Sequence, residues 1–370
     1  AGMFLHLLVY SSLLLSISDA TQCGLANGSD DVIRSKRMII GGSETEEGVW
    51  PWQVSLLQYN ETSESWKWAG CGGTLIGDRW ALTAAHCFNV NISTQITGNY
   101  SVLIGSRNAW PLKDSDEIRM VTRIIRHSKY NHVTYDDDIA LLELEPSLSN
   151  TTSISPVCIC PTGRIYIPEQ GVAVGYGATY VPEDRKQAVT VDGKLREVTL
   201  NVNYWYHCGR NHDLNGPHHR RLPSDKRGVC VGDSEHGTFK GDSGGPFMIK
   251  ASDGRWVQIG VNSYGTLKKK PLPSTTTTER PILAEADTIE GSGDIQNVAT
   301  EGSGESDNTL EGSGEVAKTK EEQKPMEKEE EQIKYMGHQS SFTNVLFYCK
   351  WIAKETRREV EYPSEKMNFD

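Results

Sequence analysis

The chain has 370 residues, 37% of them hydrophobic and 24% charged, enough for one large domain or two ordinary ones. Its net charge of −11 argues against a nucleic-acid binder, which would usually carry a basic patch. No apolar run reaches the roughly 18 residues that span a bilayer, which argues against an integral membrane protein.

In chain order, the first element is an apolar run from Met3 through Leu13-Leu14-Leu15 to Ile17, closed by the small-x-small pattern Ser18-Asp19-Ala20. It reads as a secretory signal peptide over 1–20, with the positive n-region missing and two residues ahead of Met3. Eight cysteines, an even number, fit full pairing in an oxidising compartment. Asn-x-Ser/Thr sequons at Asn27, Asn60, Asn91, Asn99 and Asn150 point the same way, to a glycosylated, secreted protein.

The next stretch reads as β. Trp52–Leu57, Ser101–Ile104 and Trp256–Val261 are short, rich in β-branched and aromatic residues, and bounded by Gly, Asn or Pro. Many short strands with one late helix predict an all-β barrel or sandwich. From Thr266 to Met336 the composition changes. This segment has no Cys, Trp or Phe, and its 16 Asp+Glu against 9 Lys+Arg give it −7 of the chain's −11. Such a segment cannot bury enough apolar surface to offset its ordering entropy, so 266–336 is expected to be a disordered acidic insert. It begins with Lys268-Lys269-Lys270 and the Thr275–Thr278 tract, then repeats Glu-Gly-Ser-Gly at Glu290, Glu301 and Glu311. A flexible tether is the plain reading. An acidic residue beside Ser-Gly also resembles glycosaminoglycan attachment sites, which makes Ser292, Ser303 and Ser313 candidates. Beyond the insert, Phe342 to Val360 carries apolar residues at helical spacing around Trp351 and Ile352.

Three motifs carry chemistry: Leu82-Thr83-Ala84-Ala85-His86-Cys87, Asp136-Asp137-Asp138-Ile139-Ala140-Leu141-Leu142, and Gly241-Asp242-Ser243-Gly244-Gly245-Pro246. A serine hydroxyl is a poor nucleophile at neutral pH and needs a base, which in turn needs an orienting acceptor. Histidine suits the base role because its ordinary pKa lies near working pH. Taken singly, each motif has a plain structural reading: a core histidine, a turn acid, a glycine turn. Taken together and in this order, they do not.

With Ile39-Ile40-Gly41-Gly42, Trp50-Pro51-Trp52-Gln53-Val54-Ser55-Leu56, Cys71-Gly72-Gly73-Thr74-Leu75-Ile76 and Ser263-Tyr264-Gly265, these motifs resemble the trypsin/chymotrypsin family of secreted serine endopeptidases. The resemblance covers about 39–265 and 337–356. It implies two orthogonal six-stranded antiparallel barrels with a C-terminal helix, a signal peptide over 1–20, a propeptide over 21–38, and a protease domain over 39–265 and 337–370. It implies His86 as general base, Asp138 as its orienter, Ser243 as nucleophile, and the N–H groups of Gly241 and Ser243 as the oxyanion hole. Cleavage before Ile39 would free an ammonium that pairs with Asp242. Disulfides Cys71–Cys87 and Cys208–Cys230 follow from the same resemblance. Cys23 pairs with Cys158 or Cys160, and the other of those two with Cys349. Gly171 and Ile249 stand where the family has a further bridge. The basic residue usual just before the activation cut is one position early, at Arg37, with Met38 between.

The primary pocket implied by the resemblance is formed by Gly237, Thr238, Ser263, Gly265 and Ser340. Its floor position, six residues before the nucleophile, is Gly237 where trypsin-like enzymes carry Asp, so a neutral residue is expected at the cleavage site. Phe239 replaces the pocket's usual Cys, and Glu235 and Lys240 lie nearby. His212, His218 and His219 lie in the loop between Cys208 and Cys230 and read as a solvated loop rather than a metal site. The calcium loop of some relatives is not evident around Ser106–Glu117. No metal and no cofactor are expected. Partners are protein or peptide substrates and protein protease inhibitors. Two other functions compete: a catalytically silent binding homologue, and a proteoglycan-like matrix role centred on the insert.

Overall fold

The computed structural model describes residues 23–26, 42–88, 94–96, 98–146, 154–162, 167–179, 189, 191–203, 227–233, 236–267, 287–289 and 338–360. Short strands bounded by turns have too little surface to stand alone. Here they close on themselves twice, which removes the exposed edges a sheet would otherwise present.

The chain enters at β1 (Ser43–Glu44) and builds the first barrel from β2 (Gln53–Asn60), β3 (Ser65–Gly77), β4 (Trp80–Thr83), β5 (Thr94–Ile96), β6 (Tyr100–Ile104), β7 (Glu117–Arg126) and β8 (Ala140–Leu144). The order β7-β6-β2-β3-β4-β8 is closed by a β7–β8 pairing, and β5 adds to β7. The second barrel uses β9 (Gln170–Gly175), β10 (Arg196–Asn203), β11 (Gly228–Val231), β12 (Pro246–Lys250), β13 (Trp256–Leu267) and β15 (His338–Asn344). Its order β10-β11-β15-β13-β12-β9 is closed by β9–β10, with β1 laid on β10. Each ring holds six antiparallel strands, as expected for the chymotrypsin-like fold. A single helix follows, α1 (Val345–Glu355), whose N-cap Asn344 accepts from the Leu346 N–H at 3.1 Å.

The two cores follow from the period-2 alternation of the strands. On β12, Phe247 and Ile249 face a cluster inside the second barrel with Val198, Leu200, Val257 and Ile259. Met248, between them, faces the larger cluster that fills the first barrel and the seam, with Trp50, Trp52 and Tyr176. The Trp52 indole N–H reaches Met248 Sδ at 3.1 Å across that seam.

Three disulfides staple these parts. Cys71–Cys87 and Cys160–Cys349 form as expected, and Cys23 takes Cys158, which settles the pairing left open by the sequence. Cys230 is also bridged; its expected partner Cys208 lies outside the described residues. So do the signal run, Ile39, Glu235, His212, His218, His219, Ser292, Ser303 and Ser313. Thr266 and Leu267 prolong β13, and Asp287–Ile289 (β14) pair with that same stretch, Gly265 opposite Ile289. A strand running past its barrel offers a row of unpaired backbone groups, which the following chain takes up. Among the described residues, no helix is long and apolar enough to cross a membrane.

Candidate active site

Each element delivers one functional group to the seam between the barrels. The chain leaving β4 makes one 3₁₀ turn over Ala85–Cys87, tied down by the Cys71–Cys87 bridge, and this turn presents His86. The loop before β8 presents Asp138. Its carboxylate is fully buried and holds His86 at two points, the backbone N–H at 2.9 Å and ring Nδ1 at 2.7 Å. A buried carboxylate is stable only when its lone pairs are used. A third donor, the Ser263 hydroxyl from β13, lies 2.5 Å from Oδ2. The Asp138 carbonyl accepts from Thr343 Oγ1 of β15 at 2.9 Å, so both barrels fix this one residue. Nε2 of His86 is buried and, among the described residues, has no hydrogen-bond partner. Tyr135 packs beside the imidazole at 5.5 Å and Tyr264 beside Tyr135 at 6.0 Å.

Ser243 sits on the tight turn ahead of β12, its carbonyl accepting from Gly72 N–H at 2.7 Å. Gly244 beside it has φ +78°, and a Cβ there would strike Thr83 Oγ1, three residues before His86. Only glycine therefore lets the Ser243 turn approach the end of the strand that leads to His86. Gly241 has φ +98°, and a Cβ there would meet Trp68 Cη2 at 2.7 Å. The Lys240 carbonyl accepts from Ala178 N–H at 2.9 Å. In a planar trans peptide the C=O and the following N–H point in opposite directions, so this bond turns the Gly241 N–H away from Ala178.

Asp242 is buried at the mouth of the second barrel, accepting from Gly177 N–H at 2.8 Å and Phe239 N–H at 2.9 Å. Burial pushes its carboxyl up to about 7, against those two bonds. Among the described residues it has no ion pair.

Of the residues expected at the pocket, Gly237 is buried. Thr238 N–H donates to Ser340 Oγ at 3.0 Å, and Thr238 Oγ1 bonds Ser340 Oγ at 2.9 Å and Asn262 Oδ1 at 3.0 Å. The short side chains are thus spent on one another, and among the described residues no carboxylate joins them. Gly265 pairs directly with Ser340 across β13 and β15. The grouping of Cys71, His86 and Cys87 is a disulfide beside an imidazole, with both sulfurs committed. Three contributors were missing from the sequence reading: Thr343, Ala178 and Trp68. None lies in a motif, because each acts through one backbone group or one ring face.

Two closed barrels with a buried Asp–His pair and a glycine-framed serine turn at their seam define a chymotrypsin-like serine protease fold. The family model for trypsin matches residues 39–280, and the chain belongs to that family. "Serine protease 28" of Mus musculus is 31% identical over 279 residues, covering 75% of this chain and 97% of the relative. "Transmembrane protease serine 7" of Homo sapiens is 33% identical over 239 residues, 63% of this chain but 25% of the relative. "Coagulation factor XI" of Bos taurus is 32% identical over 233 residues, 62% of this chain and 34% of the relative. These relatives support a serine protease function.

Proposed function

We propose that the chain is a secreted serine endopeptidase that hydrolyses peptide bonds through an acyl-enzyme. The observation that carries this reading is the double clamp of buried Asp138 on His86, which leaves Nε2 without a hydrogen-bond partner among the described residues. Asp138 holds Nδ1 in the protonated tautomer, so Nε2 is the free base. Ser243 Oγ attacks the scissile carbonyl while its proton passes to Nε2. The imidazolium that forms is stabilised by Asp138. The carbonyl oxygen becomes an oxyanion, held by the N–H groups of Gly241 and Ser243. Its collapse breaks the C–N bond, and the amine leaves with the proton from Nε2. Water then repeats the cycle, with His86 again as base, to release the acid.

We further read the precursor as a zymogen with its propeptide, 21–38, kept attached by Cys23–Cys158. The Ile39 ammonium then pairs with Asp242. A neutral residue at the cleavage site follows from Gly237, since a buried substrate cation would lack a partner. Secretion rests on the signal run and the sequons, of which Asn60 and Asn99 are exposed. The insert is a surface excursion that costs the fold little, because closure entropy grows only logarithmically with length. The test is labelling by a serine-directed phosphonate, and cleavage of a peptide-amide panel varying only the residue before the scissile bond. Labelling blocked by Ser243→Ala is expected, with Leu, Phe or Ala preferred about tenfold over Arg and Lys. An unlabelled but folded protein would leave the silent binding homologue as the better reading.

A further inference from the structure

β13 has two edges. One is covered by β15 from Gly260 to Leu267. The other is covered by β12 from Trp256 to Val261 and then by the Ser243 turn. There Asn262 N–H donates to the Gly245 carbonyl and Gly244 N–H to the Asn262 carbonyl, each at 2.8 Å. β15 already holds Gly265, Thr266 and Leu267, so the pairing of β14 with those same three residues falls on the β12 edge. One backbone edge thus runs from the Ser243 turn, across Ser263 and Tyr264, to β14.

This edge passes the groups that a bound peptide must meet. Ser263 donates its hydroxyl to Asp138. Gly265 stands opposite Ser340, whose Oγ bonds Thr238. It lies two residues, about 7 Å of strand, beyond Ser263. Chain direction adds a second constraint. The acyl half of a substrate ends at the scissile carbonyl, so its C-terminal end sits at Ser243 and its earlier residues lead away. Laid along this edge, it runs opposite to β13. β14 has that same direction, with Asp287 opposite Leu267 and Ile289 opposite Gly265, its C-terminal end nearer Ser243.

Resting on the protease reading, we propose that Asp287–Ile289 is a built-in competitor for the substrate strand, holding the β13 edge on which the peptide residues ahead of the scissile bond would lie. An extended peptide added to a sheet edge draws its affinity from main-chain hydrogen bonds, and one stretch of edge holds one strand. A competitor within the same chain acts at an effective concentration that a separate peptide must exceed. The last residue of β14 stops opposite Gly265, short of Ser263. Substrates that reach only the pocket are therefore served, whereas peptides extended past it must displace β14.

The experiment uses the full chain with residues 34–38 replaced by a sequence cleaved directly before Ile39, Cys23 retained, so that activation does not enter. One variant carries Thr288→Pro with Ile289→Pro. Successive strand residues turn their N–H groups to opposite edges, so one of the two faces β13, and proline removes it. A control carries Gln296→Pro with Asn297→Pro, in the insert but outside β14. All are read by kcat and KM on two neutral amides, with one and with four residues before the scissile bond, and by amide hydrogen exchange over Ser263–Leu267. The β14 variant should lower KM for the longer amide about fivefold or more at near-constant kcat, and change the shorter one less than about twofold. Exchange at one or more of Gly265–Leu267 should speed about tenfold or more. The control should move none of these. Unchanged exchange in the β14 variant would overturn the proposal, as would an unchanged KM for the longer amide. Equal shifts for both amides, or in both variants, would overturn it too, since they mark a general change in the cleft. If no chain were labelled by a serine-directed phosphonate while exchange still sped up in the β14 variant, the pairing would stand. The protease reading would then fall, and the competitor role with it.

Discussion

The two barrels contribute unequally to the site. On the proposed reading, the first supplies the base and its orienter, His86 and Asp138, locked by a disulfide and by bonds from Ser263 and Thr343 of the other barrel. The second, on the same reading, supplies the nucleophile turn, the oxyanion donors, Asp242 and the pocket, and it carries most of the departures from the family pattern. Gly171 and Ile249 replace a bridge, Phe239 replaces another cysteine, and the insert interrupts β13 and β15. The comparison teaches that proton transfer rests on over-determined geometry, whereas activation and specificity rest on turns and loops that tolerate rebuilding. The sharpest break between the two roles is Ser243→Ala. It should lower kcat/KM on peptide amides by about 10⁴ or more, since residual catalysis comes only from binding and the oxyanion hole. Unfolding free energy should stay within about 0.5 kcal/mol of wild type, because the bond that ties this turn to the other barrel, from Gly72 N–H to the Ser243 carbonyl, belongs to the backbone and survives the substitution. Retention of more than about 1% of activity would sink the nucleophile assignment.

Gly241→Ala tests the second barrel's electrostatic share. A methyl group there would meet Trp68 Cη2 at 2.7 Å, on a backbone with φ +98°. The turn must shift, and with it the Gly241 N–H. Loss of one oxyanion donor typically costs about 10²–10³ in kcat, and KM should move little. A rise in KM at constant kcat would show that Gly241 only shapes the cleft.

Much of this was legible in the sequence. The Asp138–His86 pair was legible because His86 before Cys87 and Asp138 before Ile139-Ala140 stand in the local contexts the proposed chemistry demands, as does Ser243 among its glycines. The strands at Trp52–Leu57 and Trp256–Val261 could be read because they are short, rich in β-branched and aromatic residues, and bounded by Gly, Asn or Pro. What was not legible depends on register and through-space approach. Thr343 reaches Asp138 across 205 residues of chain. The choice of Cys158 over Cys160 turns on which of two neighbouring side chains faces Cys23. The pairing of Asp287–Ile289 with β13 leaves no mark in a segment whose composition reads as unfolded.

The missing bridge in the second barrel gives a smaller, structural test. Phe247 pairs with Ala173 and Met248 with Val172, and continuing that register sets Gly171 opposite Ile249. The two former cysteine positions are still neighbours, so restoring the bridge looks straightforward. It is not, because the space has been refilled. A Cβ on Gly171 would lie 2.5 Å from Phe247 Cζ and 2.7 Å from the Met248 carbonyl. Gly171→Cys with Ile249→Cys is therefore expected to destabilise by up to about 3 kcal/mol through overpacking, rather than to stabilise. Gly171→Ala alone should show most of that loss in denaturant unfolding. A double variant more stable than wild type would show that Phe247 yields easily.

The smallest effect lies in the seam that joins the barrels. Glu197 of β10 is buried, and its Oε2 accepts from the Trp50 indole N–H at 2.7 Å. Trp50 in turn packs edge-on against Trp52 at 5.8 Å and Trp256 at 5.0 Å. Burial raises the Glu197 carboxyl to about 7, and the indole bond only partly opposes it. The native carboxyl thus keeps its proton up to near neutrality, while the unfolded one releases it near 4.5. Between those values the native state binds the extra proton, so this contribution is full below about pH 4.5 and is lost as pH rises through about 7. Allowing for the part of the side chain that water still reaches, the loss is on the order of 2 kcal/mol. Glu197→Gln keeps an acceptor for the indole but cannot ionise. Unfolding free energies at pH 4.5 and pH 8 should fall less for the variant than for wild type, by about that amount. Parallel pH profiles for the two proteins would show that Glu197 is ionised in the folded seam and that the indole bond outweighs burial.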